Sequence, residues 1–447
     1  MDTLRYRLFI LLLLGLAVLP LATGSACGYA ENSLPGDEPR LNRDSLEGFV
    51  QEWNPLCFNT YWDDGVRFDS PEKNIRIKIG GRLQADGGYI GADESVQDAF
   101  PGLVGWQGEI RRLRVSILAK FYDRVDFKIE ADFSDVPALT DAYFDIKRVP
   151  FIGVFRFGHT KEPFSLEELT SSNNITFMER SLPTSAFAPG RNIGPEIFST
   201  ALDQRLTWAA GGFWDVGSIT SRNSPKDALS NATGFNLTAR VTGLPWYAEN
   251  GRKLVHLGLG YSHKFRTDRQ IRFLTRPESN LANSRLVDTG QFAANDADLI
   301  DYELAFVHGP LSMQAEFYQN FTEGSQDHYF WGYYVYLSYI ITGESRPFDK
   351  SEGIFTALKP RNSFNPFRRE WGWGAWELAL RHSYLDLDDG SVQGGRENNL
   401  TAGLNWYLNA NVRLMFNYIH ARVEDRASPE LENGYANIVQ SRFQIFF

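Results

Sequence analysis

The sequence predicts an all-β protein, a sixteen-stranded antiparallel transmembrane β-barrel, and three observations lead to this prediction. From residue 74 onward, apolar and polar residues alternate with a period of two over segments of about 10 to 14 residues, the length that a tilted strand needs to cross a bilayer. Short and long connections alternate between many of these segments, as expected when turns face one side of a membrane and loops the other. Aromatic residues gather at the segment ends, where barrels carry interfacial girdles, among them Tyr333, Tyr334, Tyr336 and Tyr339.

Composition excludes several other classes. The chain has 447 residues, of which 14% are aromatic and 43% hydrophobic, which is too apolar for a disordered chain. Two cysteines cannot staple a disulfide scaffold of this length. The formal net charge is −10 and the basic residues are scattered, so no nucleic-acid partner is expected. A soluble β-sandwich also alternates, but its strands are usually about half as long.

The first thirty residues are predicted to be a secretory signal peptide. Arg5 and Arg7 precede an apolar stretch over 8–22, which small residues follow, and this stretch is too short for a comfortable transmembrane helix. Cleavage after Ala26 or after Ala30 fits the pattern, and the first choice would leave Cys27 open to lipidation. We expect residues 31–72, which are acidic and turn-rich, to form a short periplasmic segment and residues 73–447 to form the barrel.

Each strand is predicted from its own alternation. In the first, Ile75, Ile77 and Ile79 alternate with Arg76 and Lys78. The last has an aromatic carboxy terminus and resembles the signal by which outer-membrane barrels are recognised for insertion, so the barrel-assembly machinery is an expected partner. The same criterion predicts strands at 74–90, 109–121, 125–134, 140–148, 151–159, 193–200, 205–214, 232–243, 253–264, 298–308, 311–320, 328–341, 372–385, 396–408, 412–423 and 437–447.

One long connection, 342–371, lies on the side where short turns are expected. We therefore expect it either to tuck into the lumen or to hang below it. The predicted short turns are 122–124, 149–150, 201–204, 309–310 and 409–411, and the predicted long loops are 91–108, 160–192, 215–231, 265–297 and 424–436.

The register of the strands is predicted from charge. An Arg or Lys that faces lipid costs about 2–4 kcal/mol at the bilayer midplane. The apolar face must therefore contact outer-membrane lipid, and Arg82, Arg112, Arg114, Lys128 and Arg413 must face the lumen. Alternation from residue 113 turns Arg111 outward, unless it lies at a bulge or at the rim.

Several motifs lie in one order over most of the chain from about residue 65 to 447. They are Ile79-Gly-Gly-Arg-Leu-Gln-Ala-Asp86, Arg111-Arg112, Leu166-Glu-Glu-Leu-Thr-Ser-Ser-Asn173 leading to Glu179-Arg180, Tyr339-Ile-Ile-Thr-Gly-Glu-Ser-Arg346, Gly374-Ala-Trp-Glu377 and Gly403-Leu-Asn-Trp-Tyr407. Together these motifs resemble the phosphate-selective porin O and P family, which comprises phosphate- and pyrophosphate-selective outer-membrane porins. The resemblance implies a homotrimer in which the third long loop, a later long loop and one long periplasmic turn fold into the lumen.

The resemblance also implies a function, a passive channel in the cell outer membrane for small anions such as phosphate, polyphosphate and chloride. Family members guide anions along arginines and hold them at lysines of a constriction loop. Here that loop has Glu168 and Asn173 in place of lysines, and a carboxylate there would repel phosphate, whereas Lys161 is a candidate substitute. The anion path implied by the resemblance and the register comprises Arg82, Arg111, Arg112, Arg114, Arg180, Arg266, Arg269, Arg272 and Arg276.

Three alternative functions compete with this one. One is a general diffusion porin without phosphate selectivity, and another is a plugged structural or receptor barrel. The third is a barrel hydrolase, which the adjacent pairs Ser262–His263 and His382–Ser383 would have to support. Adjacent residues of a strand point to opposite faces, so neither pair forms a nucleophile–base contact. The histidines lack metal-ligand spacing, and we expect no enzyme activity, no metal and no cofactor.

Overall fold

The computed structural model describes residues 58–221, 225–365, 372–426, 431 and 433–447. The predicted signal peptide, its cleavage sites, Cys27 and the periplasmic segment up to residue 57 lie outside the described residues. Within those ranges, no helix has the length and apolarity to span a bilayer.

Sixteen long antiparallel strands form the wall within the described part of the chain. Each overlaps one predicted strand, so the predicted strand count and order are confirmed. They are β1 (Ile75–Ala92), β2 (Gly105–Phe121), β3 (Val125–Asp132), β4 (Ala138–Val149), β5 (Gly153–Lys161), β6 (Arg191–Ala201), β7 (Leu206–Trp214), β8 (Gly234–Ala248), β9 (Lys253–Arg266), β10 (Asp296–His308), β11 (Leu311–Glu323), β12 (His328–Ile340), β13 (Ala375–Asp389), β14 (Val392–Tyr407), β15 (Val412–Glu424) and β16 (Asn433–Phe446).

The wall closes on itself. Each strand pairs with the next along the chain, and β16 pairs with β1, with Arg442 opposite Asp86 and Gln444 opposite Gln84. Closure leaves no open edge within the bilayer, which a sheet in lipid requires because unpaired backbone groups have no partner there. The fold is therefore the predicted sixteen-stranded barrel.

Alternation assigns the two faces of the wall as predicted from charge. On β12, Leu337 and Tyr339 are about half exposed on the outside, whereas Tyr334 and Tyr336 are buried on the lumenal side. The prediction that Tyr334 and Tyr336 belong to an interfacial girdle was therefore wrong, because even-numbered residues of this strand point inward.

In the described part of the chain, four short helices lie in the loops and leave the wall wholly β. They are α1 (Glu94–Ala99), α2 (Leu166–Leu169), α3 (Leu182–Phe187) and α4 (Pro225–Ser230). A 3₁₀ turn, Glu249–Gly251, joins β8 to β9. Short two-residue strands occupy the fifth loop and the connection between β12 and β13.

Two long loops fill much of the lumen. The third loop, residues 162–190, carries α2 and α3, and the fifth loop is residues 267–295. Phe187 of the third loop and Phe273 of the fifth meet edge to face, with ring centroids 5.4 Å apart, and both pack against the inner wall. Part of the lumen is therefore a packed apolar core that holds the loops in place.

The connection between β12 and β13, residues 341–374 with 366–371 outside the described residues, enters the barrel from the short-turn end. We call it the inserted turn. Its Arg346 is buried and donates to Gln314 of β11 (2.9 Å), and its Gly353 carbonyl accepts from Arg240 of β8 (2.9 Å). Of the two predicted alternatives, tucking into the lumen is confirmed.

The end of the predicted periplasmic segment continues the wall below β16. Short strands Asn59–Trp62 and Val66–Asp69 form a hairpin, and the second pairs with the start of β1. The ring of Trp62 lies 5.5 Å from that of Phe447, and Asp64 pairs with Lys359 of the inserted turn (2.8 Å). This hairpin therefore contacts both the carboxy terminus and the inserted turn, which meet at the short-turn end of the barrel.

Candidate functional site

A cavity of about 420 Å³ lies in the lumen between the wall, the third loop and the tip of the inserted turn. Among the described residues, its lining has nine basic side chains and only three carboxylates. The basic residues are Arg82, Arg112, Arg114, Lys128, Arg156, Lys161, Arg180, Arg191 and Arg240, and the carboxylates are Asp141, Glu196 and Glu352. The solvent in this cavity therefore meets mainly positive charge.

Strand register places the guanidinium groups of Arg82 and Arg114 side by side. Arg82 of β1 stands opposite Arg114 of β2, and Arg114 stands opposite Asp132 of β3. Arg114 donates to Asp132 (2.6 Å) and to Glu130 (3.1 Å), and Arg82 donates to Glu130 (3.0 Å) and to the hydroxyl of Ser172 (2.8 Å). Glu130 thus holds together two like charges that would otherwise repel.

The third loop and the end of β5 bring together two residues predicted for a constriction, Lys161 and Glu168. Glu168 lies between Lys161 and Arg180, with Oε1 3.3 Å from the Lys161 ammonium and Oε2 2.9 Å from Arg180. Burial raises the pKa of the Glu168 carboxyl, but the charges of Arg180 and Lys161 outweigh it and keep that pKa below its usual range. Glu168 is therefore an ionised partner of both cations rather than a free carboxylate.

Asn173, the third predicted residue of that loop, lies elsewhere. Its carbonyl accepts from Gln444 (3.1 Å), and its side chain lies at a second, much smaller pocket beside Arg346 and Arg413. Arg413 donates to the carbonyl oxygens of Ile175 (2.8 Å) and Thr176 (3.0 Å), so it anchors the loop to β15.

Arg111 lies at a β-bulge, which was one of its two predicted positions. The register of β1 with β2 shifts there, because Gln84 pairs with Arg112 and Ala85 with Ile110. The extra residue turns Arg111 toward the third loop, where it forms two hydrogen bonds to Glu179 (2.8 and 3.0 Å). Arg111 therefore ties the loop to the wall.

Glu179 is shared by three guanidinium groups. Arg442 lies 2.6 Å and Arg112 3.6 Å from it, in addition to Arg111. Burial raises the pKa of Glu179, and these three positive charges outweigh burial and hold that pKa well below its usual range. Glu179 therefore stays ionised, and its ion pairs hold this part of the third loop against the wall.

The four arginines predicted from the fifth loop lie apart from this cavity. Arg266 pairs with Asp215 (2.8 Å) and Asp268, and Arg272 with Asp288 (2.8 Å). Arg276 donates to Asn280, and Arg269 occupies a left-handed turn position with φ of 55°. The spacing of these arginines in the sequence gave no indication that Arg266 and Arg272 would pair with carboxylates of the loops.

Three basic residues of the cavity escaped the sequence analysis, namely Arg156, Arg191 and Arg240. Arg156 lies over the rings of Tyr143 (4.1 Å) and Phe198 (4.9 Å) and forms two hydrogen bonds to Asp145 (2.7 and 3.0 Å). The signal was present, because Arg156 alternates with Phe155 and Phe157, and the charge rule that oriented Arg82 applies equally to it.

A closed sixteen-stranded barrel with a loop folded into a basic lumen defines an outer-membrane porin. The model of the family described as "Phosphate-selective porin O and P" matches residues 77–447. The chain belongs to that family.

Two relatives extend over most of the chain. An uncharacterized protein of Caulobacter vibrioides is 27% identical over 401 residues, which cover 86% of this chain and 76% of the relative. Porin O of Pseudomonas aeruginosa is 24% identical over 405 residues, which cover 80% of this chain and 86% of the relative.

Solved porin structures share the fold at low identity. The anion-selective porin from Comamonas acidovorans aligns with a TM-score of 0.50 at 11% identity over 83% of this chain and all of its own. The outer membrane channel DcaP of Acinetobacter baumannii aligns with a TM-score of 0.50 at 13% identity over 85% of this chain and 99% of its own. OmpT of Vibrio cholerae in its trimer form aligns with a TM-score of 0.50 at 10% identity, over 83% and 99%.

Proposed function

We propose that this porin is a passive channel for small anions, with phosphate, polyphosphate and chloride among them. The observation that carries the proposal is the basic lining of the cavity. Several of its cations are held by carboxylates outside the lining: Arg82 and Arg114 by Glu130, Arg240 by Glu303, and Lys161 and Arg180 by Glu168. Positive charge therefore faces the solvent, and negative charge lies behind it.

This arrangement suits anion passage for a physical reason. An anion that enters a narrow lumen loses part of its hydration, and fixed donors must replace it. Guanidinium groups present several N–H donors in a rigid fork that matches phosphate oxygens. Because each group is already pinned by a carboxylate, it needs little reorganisation to receive a passing anion. The names of the relatives, Porin O and an anion-selective porin, point in the same direction.

A second candidate is an anion channel without phosphate preference, and one observation favours it. Glu168 neutralises part of the charge of Lys161 and Arg180 at the loop, where phosphate-selective members are expected to have lysines. The alternative of a plugged structural or receptor barrel predicts that the protein conducts no ions at all.

Planar bilayer recordings separate these candidates. Under a KCl gradient the reversal potential should show chloride preference, and phosphate should block the chloride current. Arg82→Ala should lower the chloride preference, whereas Arg272→Ala, which removes an exposed guanidinium of the fifth loop, should leave it unchanged. Cation preference of the wild-type channel would contradict the proposal. Absence of phosphate block with retained chloride preference would favour the second candidate, and absence of conductance the plugged barrel.

We further propose that the barrel is a homotrimer in outer-membrane lipid, exported by the predicted signal peptide and inserted by the barrel-assembly machinery through β16. The proposal rests on the family resemblance and on the terminal aromatic strand. It adds no contact to the cavity, so the anion proposal stands independently of it.

A further inference from the structure

Three buried carboxylates meet on the lumenal face of β10 and β11, behind the lining residue Arg240. Asp301, Glu303 and Glu316 each contribute one oxygen to a group in which all three atoms lie within 4.8 Å of one another. All three side chains are almost fully buried. Register enforces the meeting, because Glu303 stands directly opposite Glu316.

The partners of these carboxylates are unequal. Arg240 donates twice to Glu303 (2.6 and 2.8 Å), and His256 lies 2.8 Å from it. Glu316 accepts from the hydroxyl of Ser165 and from the backbone N–H of Glu167, both at 2.9 Å. Neither oxygen of Asp301 has a hydrogen-bond partner among the described residues, although its side chain is wholly buried. A buried, ionised carboxylate without a partner is costly, so Asp301 either takes up a proton or binds a positive ligand.

The charge of the cluster indicates the valence of that ligand. When all three carboxylates are ionised they carry three negative charges, of which the guanidinium of Arg240 offsets one. Glu167 of the third loop has a cation partner of its own in Arg381 (3.3 Å). A remainder of two negative charges in a buried place matches one divalent cation.

The backbone of β9 makes room for this arrangement. Gly258 and Gly260 stand opposite Glu303 and Asp301 in the register of β9 with β10. A Cβ atom at Gly258 would lie 2.3 Å from a carboxylate oxygen of Glu303, closer than atoms approach. Gly258 therefore lets the Glu303 carboxylate lie over the strand, whereas a Cβ atom at Gly260 would first meet the ring of Phe164 (3.2 Å).

We infer that Asp301, Glu303 and Glu316 form a binding site for a hard divalent cation, with Ca²⁺ as the best match. Ca²⁺ takes oxygen ligands at about 2.3–2.6 Å in a flexible arrangement, so the ligand atoms of one ion lie within about 5 Å of each other. Mg²⁺ requires near-ideal octahedral geometry and retains water, so it fits this buried all-carboxylate group less well.

A cation at this site would also affect the position of the third loop. Glu316 holds Ser165 and the N–H of Glu167, which begin α2 and carry the loop that contains Glu168. An ion bound to Glu316 therefore fixes the orientation of the carboxylate that anchors the loop. The inference goes beyond the proposed function, because it concerns a cation at a place outside the anion cavity.

The test is cation binding to the folded, chelator-stripped protein in detergent. Terbium, a Ca²⁺ analogue, should give saturable luminescence excited through tyrosine, since Tyr318 hydrogen-bonds to Glu316, and Ca²⁺ should displace it. Asp301→Asn should weaken binding at least tenfold and abolish the rise in unfolding temperature that Ca²⁺ gives the wild type. Glu397→Gln, which removes an equally buried carboxylate of β14, should do neither.

Two results would overturn the inference. One is the absence of saturable Tb³⁺ and Ca²⁺ binding in the wild-type protein, and the other is an equal loss of binding in Glu397→Gln. A third result would also contradict it: no Ca²⁺ binding by the wild type, together with an unfolding temperature of Asp301→Asn that exceeds that of the wild type with and without Ca²⁺. That result would show that protons, and not a cation, neutralise the cluster. None of these readouts measures conductance, so they fail or succeed independently of the anion proposal.

Discussion

Glu168 contacts two cations of the cavity lining, Lys161 and Arg180, and this triad sets the charge at the loop. Glu168→Gln keeps the shape and the hydrogen-bonding oxygen but removes the negative charge. We expect phosphate to block chloride current at concentrations lower by ~3-fold or more, because charges in a narrow lumen act through a low effective dielectric constant. Dose–response curves of block in planar bilayers measure the effect.

The matched control is Glu249→Gln, which breaks a similar ion pair with Lys253 in the exposed turn between β8 and β9. Its block curve should overlay that of the wild type. An unchanged curve for Glu168→Gln would mean that the triad lies off the path of the anions.

Glu352 makes the charge of the cavity depend on pH. Burial raises the pKa of its carboxyl, and the nearby charge of Asp349 raises it further, against the opposing effect of Arg156 and Lys128. The group therefore takes up its proton at a higher pH than the ordinary Glu value of about 4.3. On acidification from neutral pH, the lining therefore loses negative charge before an ordinary Glu carboxyl would take up its proton, and the permeability ratio of chloride to potassium should rise.

Reversal potentials of Glu352→Gln decide whether this residue is responsible. The variant should start from a higher ratio at pH 7 and change less on acidification. A rise of wild-type size in the variant would assign the effect to Glu196, another carboxylate of the lining.

At the scale of elements, the inserted turn narrows the cavity from the short-turn end. Its Phe348–Asp349 and Ile354–Phe355 strands form a small hairpin, in which Phe348 and Phe355 meet edge to face at 5.1 Å and pack on Leu244 and Leu254. Replacing 348–355 by a short Gly–Ser linker should raise single-channel conductance, because Ser351, Glu352 and Ile354 leave the lining.

The control for that deletion shortens the surface helix α4 in the fourth loop, which should not change conductance. An unchanged conductance of the turn deletion would mean that the third loop alone sets the narrowest point.

The strands were predictable from sequence because a period of two and a lipid-facing surface leave little choice of face. The two-residue turn 309–310 even fixes the register of β10 with β11, so the pairing of Glu303 with Glu316 follows from predicted elements. The contact of Glu316 with Ser165 does not, because it joins residues 151 positions apart through a folded loop. The position of Arg111 needed a bulge that alternation allowed but did not require.

At the scale of the whole molecule, the net charge of −10 and the basic lumen point in opposite directions. Total charge averages over loops, wall and turns, whereas selectivity depends on the side chains that the solvent in the lumen meets. Matching of family motifs found three arginines of the lining, Arg82, Arg112 and Arg180, and the register rule added Arg114. The other arginines of the lining were missed because the register rule was not applied to every strand.

The mass of the purified particle in detergent tests the predicted homotrimer. Light scattering of the purified protein in mild detergent, corrected for bound detergent, should give three chains, and heating before electrophoresis should convert the band to a single chain. A monomer-sized particle under the same conditions would contradict the assembly. Arg82→Ala, a change inside the lumen, should leave the mass unchanged.

The pairing of β1 with β16 joins residues far apart along the chain, since Asp86 and Arg442 are 356 positions apart. Every other neighbouring pair of barrel strands is consecutive in sequence. Contacts of such separation form slowly, because chain entropy is lost before they stabilise anything. Until then, both strands present a row of unpaired backbone groups that invites strand addition from other molecules. We therefore expect the speed of ring closure, rather than the stability of the finished barrel, to set how much of the newly made protein escapes aggregation.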